Sequence, residues 1–288
     1  MIAKPRVVKV VLGLVLVLAA AAAFGALRFA QRRDRVYPVE AMGLTVSDDA
    51  ERIARGRHLA HSVAGCAYCH GEDLGGQVLD DNGMVRLVAS NLTPGEGGVV
   101  EHYTDDDWVR AILEGVDPRG RALWVMPSAH LRFLADSDVA AIVAYCRQLA
   151  PVDRVLPRSD ASVLARIMTG LTGGEVWSVE EIDHELARPA TPPPVAADRE
   201  YGTYLIGSCL GCHGNDRKGG KVVHPGAPPS ADISPRAMTS WTEDELRKTL
   251  STGVRPDGSH LDPGMPWQVL RELDDVELRA LWLALEQG

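Results

Sequence analysis

Cys66-Ala67-Tyr68-Cys69-His70 and Cys209-Leu210-Gly211-Cys212-His213 repeat one pattern, two cysteines three positions apart with a histidine directly after the second. Sulfurs at that spacing lie on one face of a helical turn, where both can form thioether bonds to the vinyl groups of one porphyrin. The adjoining imidazole then meets the iron as proximal ligand. The competing chemistry is zinc, which takes cysteine pairs as thiolates, usually with the two halves ~12–20 residues apart. Here more than a hundred residues separate the pairs, and each carries its own histidine. Two covalently attached c-type haems are therefore the expectation, held by Cys66, Cys69 and His70 and by Cys209, Cys212 and His213. They use four of the five cysteines.

A distal ligand is suggested by a second repeated pair. Met126-Pro127 lies 56 residues after His70, and Met265-Pro266 lies 52 after His213. Thioether sulfur opposite imidazole raises the potential of haem iron and closes its last coordination position. That combination suits an electron carrier better than a catalyst at iron. Met42, Met84, Met168 and Met238 have no counterpart in the opposite half. Among the other histidines (His58, His61, His102, His130, His184, His224 and His260) none recurs at an equivalent position. His130 and His260 stand nearest the Met-Pro pairs and are the alternative distal ligands.

The elements that must position these groups are also written twice. Gly56-Arg57-His58-Leu59 precedes the first motif as Gly202-Thr203-Tyr204-Leu205 precedes the second. Asn91-Leu92-Thr93-Pro94 matches Asp232-Ile233-Ser234-Pro235. Thr104 and Thr242 each open a helix with acidic residues in its first turn, and Gly115 and Gly253 close them. Each copy ends in an amphipathic helix, Asp136 to Leu149 and Asp274 to Glu286. The expected organisation is residues 1–35 as anchor or signal segment, 45–150 and 198–288 as two modules, and 151–197 between them.

This order of elements resembles the class I cytochromes c. The resemblance implies an all-α fold of two tandem cytochrome c domains preceded by one transmembrane helix. It also implies that the first and last helices of each domain cross near a right angle. Gly56 and Gly202 would permit the approach, with Tyr145 and Trp282 packing over them. In that family the proximal imidazole donates its other nitrogen to a carbonyl of a proline loop, for which Pro94 and Pro235 stand in position. Asn-Leu-Thr-Pro, Met-Pro-Ser and Ala-Tyr in the first module are similar to the dihaem cytochrome subunits that serve periplasmic dehydrogenases.

Composition agrees. Only Phe133 of three phenylalanines lies beyond the N-terminal segment, so two modules of ordinary size need another apolar body in their cores, and a porphyrin is one. Residues 1–35 carry a charge of +6 and the remainder −15; such a surface repels nucleic acid. Val10 to Leu27 is uncharged for 18 residues, at the short end for a membrane span. A retained single-pass anchor with the modules on the periplasmic side of a bacterial membrane is the expectation; Ala21-Ala22-Ala23 leaves signal cleavage and a soluble periplasmic protein as the alternative. The linker should wrap over the modules, with a short helix from Asp160 to Thr169 stopped at Gly170 and a stiff stretch from Pro189 to Pro194. Cys146 reads as a buried free thiol, and Trp108 as a core residue. The function implied is electron transfer in a respiratory chain, between a dehydrogenase or quinol-oxidising complex and an oxidase or small cytochrome. A dihaem subunit of a terminal oxidase and a dihaem peroxidase are the alternatives, the latter opposed by methionine in both halves.

Overall fold

The computed structural model describes residues 5–174, 177–184, 186–222 and 227–286; Lys4 and His224 lie outside them. Helices make up about half of the chain: α1 (Pro5–Arg33), α2 (Ala50–His61), α3 (Cys66–His70), α4 (Asp105–Glu114), α5 (Ser128–Leu131), α6 (Asp136–Cys146), α7 (Val163–Thr172), α8 (Arg199–His213), α9 (Pro235–Met238), α10 (Glu243–Thr252), α11 (Trp267–Leu270) and α12 (Asp275–Glu286). Among the described residues α1 is the one helix long and apolar enough to cross a membrane. At ~1.5 Å per residue its uncharged stretch spans about 27 Å, close to the ~30 Å of a bilayer's hydrocarbon.

Two close helix crossings organise the rest. A Cβ placed on Gly56 of α2 would stand 1.8 Å from the carbonyl oxygen of Ala141 on α6, and one on Gly202 of α8 would stand 1.9 Å from that of Ala280 on α12. Glycine alone lets two backbones meet at that range. The space over each glycine is thus taken by the partner helix's backbone. Helices α4 and α10 complete each half. Thr104 and Thr242 accept the amide protons of Asp107 and Glu245, whose carboxylates accept the threonine amides in return. Gly115 (φ 65°) and Gly253 (φ 73°) end these helices in the left-handed conformation.

The fold is not purely helical. Strands β1 (Gln77–Asp81), β2 (Val85–Ala89) and β3 (Asp160–Ala161) form an antiparallel sheet in that order. Asn82-Gly83, with Gly83 at φ 78°, turns β1 into β2. That dipeptide beside Val- and Leu-rich flanks is a hairpin signal the all-α expectation passed over. The third strand comes from the linker, which lies along the first half. Val152 donates its amide to Thr93 Oγ1 at 2.9 Å and Arg154 pairs with Asp73. Pro189 and Ala190 lend carbonyls to the first amides of α6.

One hydrophobic core runs through both halves, from Leu59, Val109 and Ile142 to Leu205, Leu250 and Leu281. At the junction two buried carboxylates play matching parts. Asp138, third residue of α6, takes Arg55 of α2 (3.0 and 3.1 Å) and the Tyr204 hydroxyl of α8 (2.7 Å). Glu277, third residue of α12, takes the Tyr201 hydroxyl of α8 (3.2 Å) and His58 of α2 (2.8 Å). Arg55 and Tyr201 precede the crossing glycines; His58 and Tyr204 follow them by two. Each carboxylate therefore holds the residue before its own half's glycine and the residue after the other's. Buried carboxylates are costly unless so partnered, and these tie the halves in one relative placement.

Candidate cofactor sites

Each Cys-x-x-Cys-His motif faces its own apolar cavity. The first, of about 270 Å³, is lined by Cys66, Cys69, His70 and Met126 among apolar side chains including Trp108 and Ile142. The second, of about 240 Å³, is lined by Cys209, Cys212, His213 and Met265 with Leu246 and Leu281. Several wall positions correspond. Trp108 and Leu246 both lie four positions after the capping threonines. Ile142 and Leu281 both follow the alanines that touch the crossing glycines, and Cys146 stands where the second half has Leu285. Cys146 is buried, and burial lifts its thiol well above the usual range.

The imidazoles are oriented alike. His70 Nδ1 donates to the Ser90 carbonyl at 2.8 Å, and His213 Nδ1 donates to the Ala231 carbonyl at 2.7 Å. Each acceptor lies four residues before Pro94 or Pro235, so the prolines mark the loop without supplying the carbonyl. With Nδ1 donating, the lone pair sits on Nε2, the ring nitrogen able to bind a metal. Burial lowers the pKa of His70, keeping that lone pair unprotonated. The methionines occupy matching turns. The carbonyls of Met126 and Met265 each accept an amide two residues on at 2.8 Å, and Pro127 and Pro266 start α5 and α11 with nearly identical dihedrals.

The residues fit haem and do not fit zinc. Among the described residues the one set of three or more ligand atoms within 4.8 Å of one another is His58, Asp274 and Glu277. The sulfurs and imidazole of neither motif converge in that way, as a tetrahedral ion demands. The His58 cluster is accounted for by helix capping: Glu277 and Asp274 exchange backbone hydrogen bonds at 2.8 and 3.1 Å while His58 holds the same carboxylate. All five cysteines are unpaired by disulfides. Burial pushes the Cys66 thiol up to about 12 and raises Cys69, Cys209 and Cys212 as well, so the thiols rest protonated. In the second cavity Thr249 Oγ1 is buried without a hydrogen-bond partner, a polar atom whose neighbour would be the cavity's occupant.

Among the described residues, no histidine other than His70 and His213 lines either cavity. His130 packs its ring against Gly211 from the outside, and His260 is exposed on a bridge to Val254. Tyr103 in the first cavity and Trp241 in the second each stand directly before a capping threonine, a repeated aromatic that the sequence reading passed over. Trp124 and Ser159 in the first cavity and Arg255 in the second have no counterpart in the opposite half, so repetition could not reveal them. Val63 is a further case. It belongs to the first half yet lines the second cavity, while Ala64, Gly65 and Cys66, directly after it, line the first. A four-residue segment thus has one end on each cavity.

No family model matches the chain. Its curated relatives include proteins that are, by name, cytochrome c subunits of dehydrogenases. The fructose dehydrogenase cytochrome subunit of Gluconobacter japonicus is 26% identical over 70% of this chain and 45% of its own length. The gluconate 2-dehydrogenase cytochrome c subunit of Pantoea cypripedii is 26% identical over 80% of this chain and 58% of its own. A nicotinate dehydrogenase subunit of Pseudomonas putida is 27% identical over 77% of this chain and 20% of its own. The chain thus spans between a fifth and somewhat over half the length of these relatives.

Proposed function

We propose that the chain is a dihaem electron-transfer subunit, anchored by α1 with its two class I cytochrome c domains (residues 45–150 and 198–288) on the periplasmic side, that takes electrons from a dehydrogenase. The observation that carries this is the repeated cavity: two thiols, one oriented imidazole and one methionine, in the same places twice. Haem c in each cavity would supply a one-electron iron couple of raised potential. Cys66 and Cys69, and Cys209 and Cys212, are the thioether donors; His70 and His213 are the proximal ligands. Met126 and Met265 would be the second iron ligands, which would leave no position for substrate at iron and would set the chain apart from a peroxidase. The Ser90 and Ala231 carbonyls fix the imidazole planes and raise their basicity. Apolar walls exclude water, and a dry site favours the less charged reduced state. The Val63–Cys66 segment is the partition between the two sites. The named relatives are subunits of dehydrogenases, which favours a dehydrogenase as donor over a terminal oxidase assembly.

The test is Met265→Ala in the full-length holoprotein. The expected result is a lower midpoint potential for one of two redox waves, with carbon monoxide binding gained at one site. No change in either overturns the assignment of Met265.

A further inference from the structure

Gly170 does not stop a helix. Helix α7 continues through it to Thr172 and ends on Gly173 at φ 78°. The missing side chain serves a crossing instead. A Cβ on Gly170 would lie 1.9 Å from the carbonyl oxygen of Gly25 on α1, and one on Gly25 would lie 2.6 Å from that of Ile167. Two glycines facing each other let α7 seat its backbone on the anchor helix, the arrangement by which helices associate in lipid. Below the crossing, Phe29 of α1 packs with Ala161, Ala165 and Trp177 in a small core of its own.

What α7 leaves uncovered is its apolar side. Val163 is 70% exposed, Leu164 56%, Met168 52% and Leu171 42%. Leu164, Met168 and Leu171 follow the i, i+4, i+7 spacing of one helix face. On a helix of ten residues in water, such a face is a liability. Its Leu171 meets α1 at Gly25, where a Cβ would stand 2.9 Å from the leucine Cγ, and Phe24 and Leu27 on that stretch of α1, whose composition fits a bilayer, are themselves 59% and 64% exposed. Arg28 and Arg35 are exposed at the same end of α1, where cations meet anionic headgroups.

From this continuity we infer that α7 is a second membrane-contacting element. Its Leu164–Met168–Leu171 face lies in the outer leaflet against the anchor, and the occupant of that face is lipid. The inference rests on the reading of α1 as a retained anchor. Its consequence is that the linker grips the membrane from the middle of the chain. Because the linker also supplies β3 and caps α6, the first half would be held at a fixed attitude to the bilayer rather than swinging on α1 alone.

The experiment uses full-length holoprotein in phosphatidylethanolamine–phosphatidylglycerol vesicles, with a nitroxide label on Met168→Cys and, separately, on Leu164→Cys. Leu18→Cys on α1 and Asp244→Cys at an exposed position of α10 are the references; Cys146 is 3% exposed and stays unlabelled. Accessibility to oxygen, which partitions into lipid, is compared with that to a water-soluble nickel chelate. The expected oxygen-to-nickel ratio at positions 164 and 168 is at least about tenfold that at position 244, at a shallower depth than position 18. Labels at 164 and 168 that behave like position 244, while position 18 reads as lipid, overturn the inference and leave the anchor intact. Labels there reached by neither reagent mean that protein covers the face, which also overturns it. A label at position 18 that reads as water, or is absent from the mature chain, removes the anchor reading itself.

Discussion

The two halves build the same site on different local backbones. Seven positions separate Gly202 from Cys209, and α8 runs unbroken from Arg199 to His213. Ten separate Gly56 from Cys66, and the three extra residues break the first half's helix into α2 and α3, with Gly65 at φ 63° between them. The motif is nevertheless delivered to an equivalent cavity, because the features that position it lie elsewhere: the crossing at glycine, the carbonyl that holds the imidazole, and the turn that presents methionine. Freed from that duty, the inserted segment does something the second half's continuous helix does not. It carries Val63 across to the other cavity.

If the crossings are the shared scaffold, breaking either should hurt most. Gly56→Ala and Gly202→Ala each force a methyl into a partner backbone. Each should destabilise the protein by about 1–3 kcal/mol, where the same change in an open helix would stabilise it. Urea unfolding of both variants measures this; a neutral result at one glycine would show that the two crossings are not equivalent. Val63→Asp addresses the asymmetry. A carboxylate placed there from the first half should lower the potential of the second site more than that of the first, as redox titration would report. Equal shifts, or none, would remove Val63 from its bridging place.

The junction gives a smaller effect. The hydrogen bond to Glu277 raises the pKa of His58, against burial and the charge of Arg55 and with the charges of Glu277 and Asp274. A histidine raised on folding contributes stability that is full below its ordinary value of 6.5 and is lost as pH climbs through the raised value. In the matching pair, burial, with the charge of Asp138, raises the Tyr204 hydroxyl far above its ordinary value and so away from that window. His58→Gln should therefore remove a stability slope above pH 6.5 worth at most about 1 kcal/mol, while Tyr204→Phe should leave that slope in place. Melting temperature against pH for the three proteins distinguishes these outcomes.

Much of this is legible in the sequence because chemistry at these sites is local. Two sulfurs and an imidazole must share one turn, and the capping boxes at Thr104 and Thr242 are written in four consecutive residues, so motif and helix ends can be read directly. What escapes reading depends on distance along the chain. The carbonyls of Ser90 and Ala231 are backbone atoms that any residue would supply. The partners of Asp138 and Glu277 lie 66 to 219 positions away. Gly170 reads as a stop because glycine in a helix usually weakens it, and only the facing Gly25 shows otherwise. The hairpin at Asn82-Gly83 is different: its signal is present, and the resemblance to an all-helical family outweighs it.

The central claim is that the chain carries two covalent haems, each between histidine and methionine. Intact mass of the purified full-length protein, together with its ferric absorption spectrum, tests it most directly. The account predicts a mass higher than the polypeptide by two haems, with both irons low-spin. A mass gain of one haem or none, or a high-spin signal from either iron, would contradict it.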